Sequence, residues 1–331
     1  MTELEASSAA RHDQRDDHPP TSDESEGFVN NGFRYSDEVG LDAVGESVLE
    51  FYATRYTHST RAQWLERIAS GAVQLDGQRV PCDTVLRAGQ VLTYDRAPWV
   101  EPDAPTTFGV IYADDQIVAV DKPAGLPVLP GGQHLDSTLL ALVRARFAGD
   151  APPSPVHRIG RGTSGIVVFA RTPHARRELT RAFARRRVTK LYRALVRGTG
   201  LPREQVIDLP IGRVPYPPTG HLSAATADGA PAKSVCVLLR EDREHSQSLL
   251  EVRIVTGRTQ QIRIHTAAIG HPLVGDRLYT AGGRPAALVA GTRPPLPGDC
   301  GYLLHATHLA FAHPASGERI AFDCAPPPLL R

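Results

Sequence analysis

The sequence has little of what marks a secreted, membrane-bound or metal-holding chain. Its four cysteines, Cys82, Cys236, Cys300 and Cys324, lie far apart and form no C-x-x-C pair. That excludes a disulfide framework and a cysteine metal site, and points to reduced thiols in a cytoplasmic protein. No positively charged start leads into an apolar core, and no apolar run is long enough to span a bilayer, so neither secretion nor membrane insertion is expected. No repeat of fixed period is present. His305 and His308 have no third ligand near them in sequence, so they read as structural histidines and no metal is expected.

What is present fits a folded body with a basic face. The 331 residues suffice for two domains, and 41% hydrophobic content can supply a core. The formal net charge of +1 hides an asymmetry. Residues 1–26 carry eight acids against two arginines, so the remainder holds 35 bases and 28 acids. Residues 1–27, acidic and poor in large apolar side chains, cannot repay the entropy of ordering and are expected to be a disordered tail. Residues 141–200 hold fourteen Lys and Arg against Asp150 and Glu178 alone, which suggests a polyanionic partner, a solvated basic face being the alternative.

Within residues 28–97, a small module is expected with its core at 47–95. Val48, Leu49, Phe51 and Tyr52 suggest a short helix, and Ser59 or Thr60 caps a second with Trp64, Leu65 and Ile68 on one face. Gly71 stops it, Asp76-Gly77 turns a hairpin, and Gly89 to Leu92 opens a closing strand. This order resembles the alpha-L RNA-binding module, a small α/β unit. Residues 98–107, proline-rich, read as a semi-rigid linker to a second domain at 108–331.

In that second domain Val110-Ile111-Tyr112 and Ile117 to Val120 read as strands joined by a tight Asp114-Asp115 turn, and Thr138 to Phe147 as a helix. Thr172-Pro173 opens another helix, which buries Ala175, Leu179, Ala182 and Phe183 and presents Arg176, Arg177, Arg181, Arg185 and Arg187 for backbone phosphates. Lys190 to Val196 and Leu249 to Val255 are further strands. Lys122, beside a proline turn, reads either as a phosphate contact or as an exposed lysine.

The densest polar stretch is PVHRIGRGTSGIVVFA, residues 155–170. Gly160, Gly162 and Gly165 match the dinucleotide pattern G-x-G-x-x-G, but that pattern cradles a pyrophosphate only between a strand and a helix. Here the glycines run into Ile166-Val167-Val168-Phe169, a strand, so no helix N-terminus is available. A nicotinamide-binding reading is set aside on that ground.

Taken in order, DKPAGLPV, HRIGRGTSGIVVFART, TKLYRALV, TGRTQQIRIH, GHPLVGD and LLHA resemble an RluA-type RNA pseudouridine synthase from about residue 108 onward. The resemblance implies an α+β fold with a mixed, largely antiparallel sheet and a central cleft, no cofactor, and isomerisation of uridine to pseudouridine in structured RNA, ribosomal before transfer RNA. A monomer is expected. It assigns Tyr192 to stacking on the uracil and proton transfer, Arg263 to holding the catalytic carboxylate, and His157 and Arg158 to the loop that faces RNA. Arg161, Thr163, Ser164, Lys122, Arg176, Arg177, Arg181, Arg258 and Gln260 are the further RNA-contact candidates.

Two positions depart from the family pattern. The aspartate of its H-R-x-D loop is Gly160 here, and Gln260 stands where histidine is common. Glycine can neither add to a sugar carbon nor accept a proton. Asp121 and Asp276 are candidate replacements; the alternatives are an RNA-binding protein without turnover, such as an assembly factor or RNA chaperone, or a subgroup with different chemistry. If Arg263 is buried, some other anion is expected beside it, because an unpaired buried charge is costly.

Overall fold

A computed structural model describes residues 28–56, 59–149 and 151–331, so the expected tail at 1–27 lies outside the described residues. The first unit holds strand β1 (Phe33–Glu38), helices α1 (Val48–Arg55) and α2 (Arg61–Ala69), and strands β2 (Val73–Leu75), β3 (Gln78–Arg79) and β4 (Val91–Arg96). Ser47 caps α1, and Thr60 with Gln63 forms a reciprocal capping box on α2, satisfying amide groups that a helix start leaves open. Asp76 and Gly77 both have positive φ, as a two-residue hairpin turn with matching twist requires. Trp64 and Ile68, four apart, set the buried face of α2, and Leu65, expected with them, is 45% exposed. Strand β1 was not legible: it pairs antiparallel with β4 at the edge of the sheet and its side chains are mostly exposed, so no buried alternation marks it.

The segment expected to be a linker is fastened in place. The buried Glu101 carboxylate accepts the Asn30 side-chain amide and the backbone N–H groups of Leu135, Asp136 and Ser137, each at 2.9 Å. Burial alone would raise its pKa; these donors outweigh it and hold the carboxyl at about 2. Trp99 Nε1 donates to Gln133 O at 2.8 Å, with the Arg96 guanidinium over its ring.

The remaining chain builds one large sheet. Strands β5 (Gly109–Ala113) and β6 (Ile117–Lys122) precede helix α3 (Leu139–Arg146), short β7 (Ser154–Pro155) and β8 (Ser164–Ala170), whose seven residues are all buried. Helix α4 (Pro173–Ala184) follows, capped by Thr172, and leads to β9 (Thr189–Arg197). Next come β10 (Glu204–Asp208), the separate ribbon β11 (Ile211–Tyr216) and β12 (Gly220–Ala225), then β13 (Lys233–Asp242), β14 (Gln247–Ile254), helix α5 (Gln261–Ala268), β15 (Leu304–Ala312) and β16 (Arg319–Asp323).

The order across the sheet is β10-β13-β14-β9-β15-β8-β6-β5. All neighbours on this path are antiparallel except β15 and β8, which run parallel and meet through His305 opposite Ser164 and Ala306 opposite Gly165. The mixed, largely antiparallel α+β architecture is thus the one expected. Gly165 is required at that join: its φ is +103°, and a Cβ there would stand 2.3 Å from Ala306 O.

Candidate active site

A cleft of about 770 Å³ opens over this join. Its walls come from five places: the loop 156–163 entering β8, the end of α4 with β9, the turn into α5, the loop 127–131 after β6, and Pro297, Gly298 and Leu304 leading into the last long strand. Arg158, Arg161, Arg186, Lys190, Arg258 and Arg263 line it, and among the described residues no Asp or Glu does. Such a surface attracts an anion chain and offers no carboxylate to a reacting sugar.

Tyr192 projects from β9 into the cleft, in the same period-two register as Lys190. It is mostly buried, and burial pushes its phenol up to about 12. Lys190 is pulled down by burial, helped by nearby Arg186. His157 lines the same wall, but its Nε2 accepts the Val168 backbone N–H at 3.1 Å and its ring stacks on Phe183 with centroids 4.8 Å apart. Burial takes its pKa down to about 3, so His157 reaches the cleft as a neutral strut and not as a cation for RNA.

The floor is organised around Arg263, which is 2% exposed on α5. Its Nε and Nη2 donate to the two Asp276 oxygens at 2.6 and 2.8 Å, and its Nη1 to Gln260 Oε1 at 3.0 Å and Pro297 O at 3.1 Å. The guanidinium carbon sits 4.2 Å from the Tyr302 ring centroid. Burial would depress Arg263; Asp276 outweighs it and holds the group above its usual value. The anion expected beside a buried Arg263 is therefore Asp276. That also removes Asp276 from the candidates for the missing carboxylate: it lies outside the cleft lining, and one of its oxygens accepts Leu278 and Tyr279 backbone N–H groups as well. Asp121, on β6, does not line the cleft either.

Several contact candidates are placed elsewhere. Lys122 is fully buried, with Nζ donating to the carbonyls of Pro123, Leu126 and Arg161 at 2.8, 2.7 and 3.1 Å. It ties the loop after β6 to the 157–163 loop and meets no phosphate, and burial draws its pKa to about 7. Ser164 is buried under the cleft, bonded to His305 Nδ1 at 2.8 Å. Arg176, Arg177 and Arg181 line a second hollow together with Arg144 and Arg171, beside the start of α4. Arg158, Arg161, Thr163, Arg258, Gln260 and Gly160 do converge on the cleft.

Sequence reasoning passed over Lys190, Arg186 and Tyr302. The K-x-Y spacing could have revealed Lys190, since alternate strand residues share a face. Tyr302 carried no local signal, because its partner Thr163 is 139 positions away.

A mixed, largely antiparallel sheet and a basic cleft with a tyrosine wall are thus both in place. The chain matches the RNA pseudouridylate synthase family over residues 116–268. An uncharacterised RNA pseudouridine synthase of Synechocystis sp. is 42% identical over 283 residues, covering 86% of this chain and 95% of that one. The ribosomal large subunit pseudouridine synthase D of Vibrio cholerae is 32% identical, covering 86% and 89%. The solved human RNA pseudouridylate synthase domain containing 1 superposes with a TM-score of 0.54 at 28% identity, covering 70% of this chain and 88% of that one. The chain belongs to the RNA pseudouridine synthase family, isomerases that act on RNA.

Proposed function

We propose that the cleft isomerises a uridine turned out of a structured RNA, ribosomal RNA before transfer RNA, in the cytoplasm and as a monomer. The observation that carries this reading is one wall and one floor: Tyr192 facing a cleft lined by six basic side chains, over an Arg263 fixed by Asp276. Turning a base out of its stack costs a few kcal/mol, which phosphate contacts and a side chain filling the gap offset. Arg158 fills the gap in this reading, supported by its exposure at the cleft edge with Arg161, Arg258 and Gln260 in the same lining. Tyr192 lies against the uracil, and its hydroxyl receives the C5 proton. The unit at 28–97 adds RNA contacts outside the cleft. The ribosomal preference rests on what the Vibrio cholerae relative is named for, and the cytoplasm on the sequence reading; among the described residues no helix is long and apolar enough to cross a membrane.

The test is tritium release from unmodified ribosomal and transfer RNA transcripts labelled at uracil C5. Release by the natural protein that is lost in Tyr192→Phe, with RNA affinity kept, is the expected result. Release undiminished in Tyr192→Phe would remove that residue from the chemistry, and no release from either RNA would overturn the reading.

A further inference from the structure

Beneath the floor of the cleft, outside its lining, lies a hydroxyl to which nothing so far gives a role. Tyr302 lies just before β15 and is buried, with its ring under the Arg263 guanidinium. Its Oη is 3.2 Å from Thr163 Oγ1, and Thr163 lines the cleft. The same Oη stands 2.6 Å from where a Cβ on Gly160 would be, with Thr163 Oγ1 at 3.3 Å and the next ring atom at 3.9 Å. That separation is about the distance between an aspartate's carboxylate oxygen and its own Cβ. A side chain at 160 and a hydroxyl at 302 therefore compete for one volume, and in this chain the hydroxyl has it.

We propose that Tyr302, acting through the Thr163 hydroxyl, is the proton-supplying group beneath the floor of the cleft, and that residue 160 is glycine because the phenol oxygen fills its side-chain space. The inference rests on the pseudouridine synthase reading above. In the reaction the N1–C1′ bond breaks with its electron pair going to the uracil, whose negative charge meets the hydrogen bond of Thr163, backed by the phenol. The base turns, and that pair forms the C5–C1′ bond. C5 then loses its proton to the Tyr192 hydroxyl, which passes its own to solvent. N1 takes up the proton of Thr163 as Thr163 takes that of Tyr302, and the phenol regains one from solvent. One proton leaves C5, one joins N1, and both tyrosines end as they began.

The surroundings suit a donor. Burial raises the Tyr302 phenol, with Arg263 and the Thr163 bond working in the opposite direction, so the group rests protonated at neutral pH. Arg263 over the ring can then stabilise the phenolate left after transfer. Because N1 and C5 both flank C6 in the uracil ring, a hydroxyl near that edge reaches N1 after the base has turned.

The test uses the full-length protein in single-turnover tritium release and direct pseudouridine detection, with RNA affinity measured alongside, for the natural protein, Tyr302→Phe, Gly160→Asp and the double variant. Tyr302→Phe keeps the ring over Arg263 and is expected to lose about 100-fold or more in rate, the usual worth of acid–base catalysis, at unchanged affinity. The natural rate is expected to fall at alkaline pH as the phenol ionises. Gly160→Asp alone is expected to lose activity, because its carboxylate meets the hydroxyl. In the double variant the volume is free, and part of the rate is expected to return with a new loss at acid pH, where the carboxylate protonates. Full activity in Tyr302→Phe, or a gain in Gly160→Asp alone, would overturn the proposal while the synthase reading stands. Silence of the natural protein would overturn both.

Discussion

Two arginine-rich hollows among the described residues are of nearly equal size, about 770 Å³ for the cleft over the β8–β15 join and about 780 Å³ beside the start of α4. By charge alone they cannot be told apart. The cleft, however, has Tyr192 and Phe183 in its wall and a guanidinium locked beneath it by four hydrogen bonds. The α4 hollow has five arginines, of which Arg181 also pairs with Glu178, and no aromatic lining. Exposed cations hold phosphates of any sequence, whereas a reaction needs groups that cannot move away when the substrate enters. The difference between the hollows is therefore in what is buried behind them.

The sharpest way to break this contrast is to remove what lies behind the cleft. Asp276→Ala leaves the Arg263 charge buried without its partner, and is expected to cost about 3–5 kcal/mol in chemical denaturation and to abolish turnover. A variant of unchanged stability would mean that Arg263 finds its compensation elsewhere. On the other side of the comparison, the triple change Arg176→Ala, Arg177→Ala and Arg181→Ala is expected to weaken RNA binding and flatten its dependence on salt, by up to about 3 in the log–log slope for three phosphates. The rate at saturating RNA should be unchanged; a fall would make the α4 hollow part of the chemistry.

The smallest effect concerns Glu101, which touches neither hollow but pins residues 135–137, close after the 127–131 loop that lines the cleft. Glu101→Gln is expected to cost about 1–3 kcal/mol, since three backbone donors and an amide lose a charged acceptor. It should raise KM for RNA more than it lowers kcat. Because the folded carboxyl is held at about 2, below its ordinary value, its contribution is complete above the usual carboxylate range and is lost as pH falls toward 2. Denaturation from pH 7 down to 3 should therefore show the natural protein losing more stability than Glu101→Gln.

Much of this fold could be read from local pattern. The Thr172-Pro173 start of α4, the Asp76-Gly77 hairpin and the run in β8 each carry their signal within a few residues. Helix α5 did not, because residues 261–267 are all buried and leave no polar face to give a helical period. The site was legible in proportion to how near its partners lie in sequence. The 157–163 loop, Tyr192 and Arg263 stood out, as did the need for an anion beside Arg263. The burial of Lys122 under three carbonyls and the meeting of Tyr302 with Gly160 are products of tertiary packing, which a linear pattern does not contain.

Strand β15 holds a consequence for how the protein comes into being. It lies at the centre of the large sheet, yet it is drawn from residues 304–312 of 331. Until it inserts, β10, β13, β14 and β9 form one half-sheet and β8, β6 and β5 another, with no ladder between them. A chain emerging from the ribosome from its N-terminus can form each half early, but the halves that carry the two walls of the cleft are joined only when this late strand arrives. Synthesis that stops short of it leaves the two half-sheets unjoined and the cleft between them unbuilt.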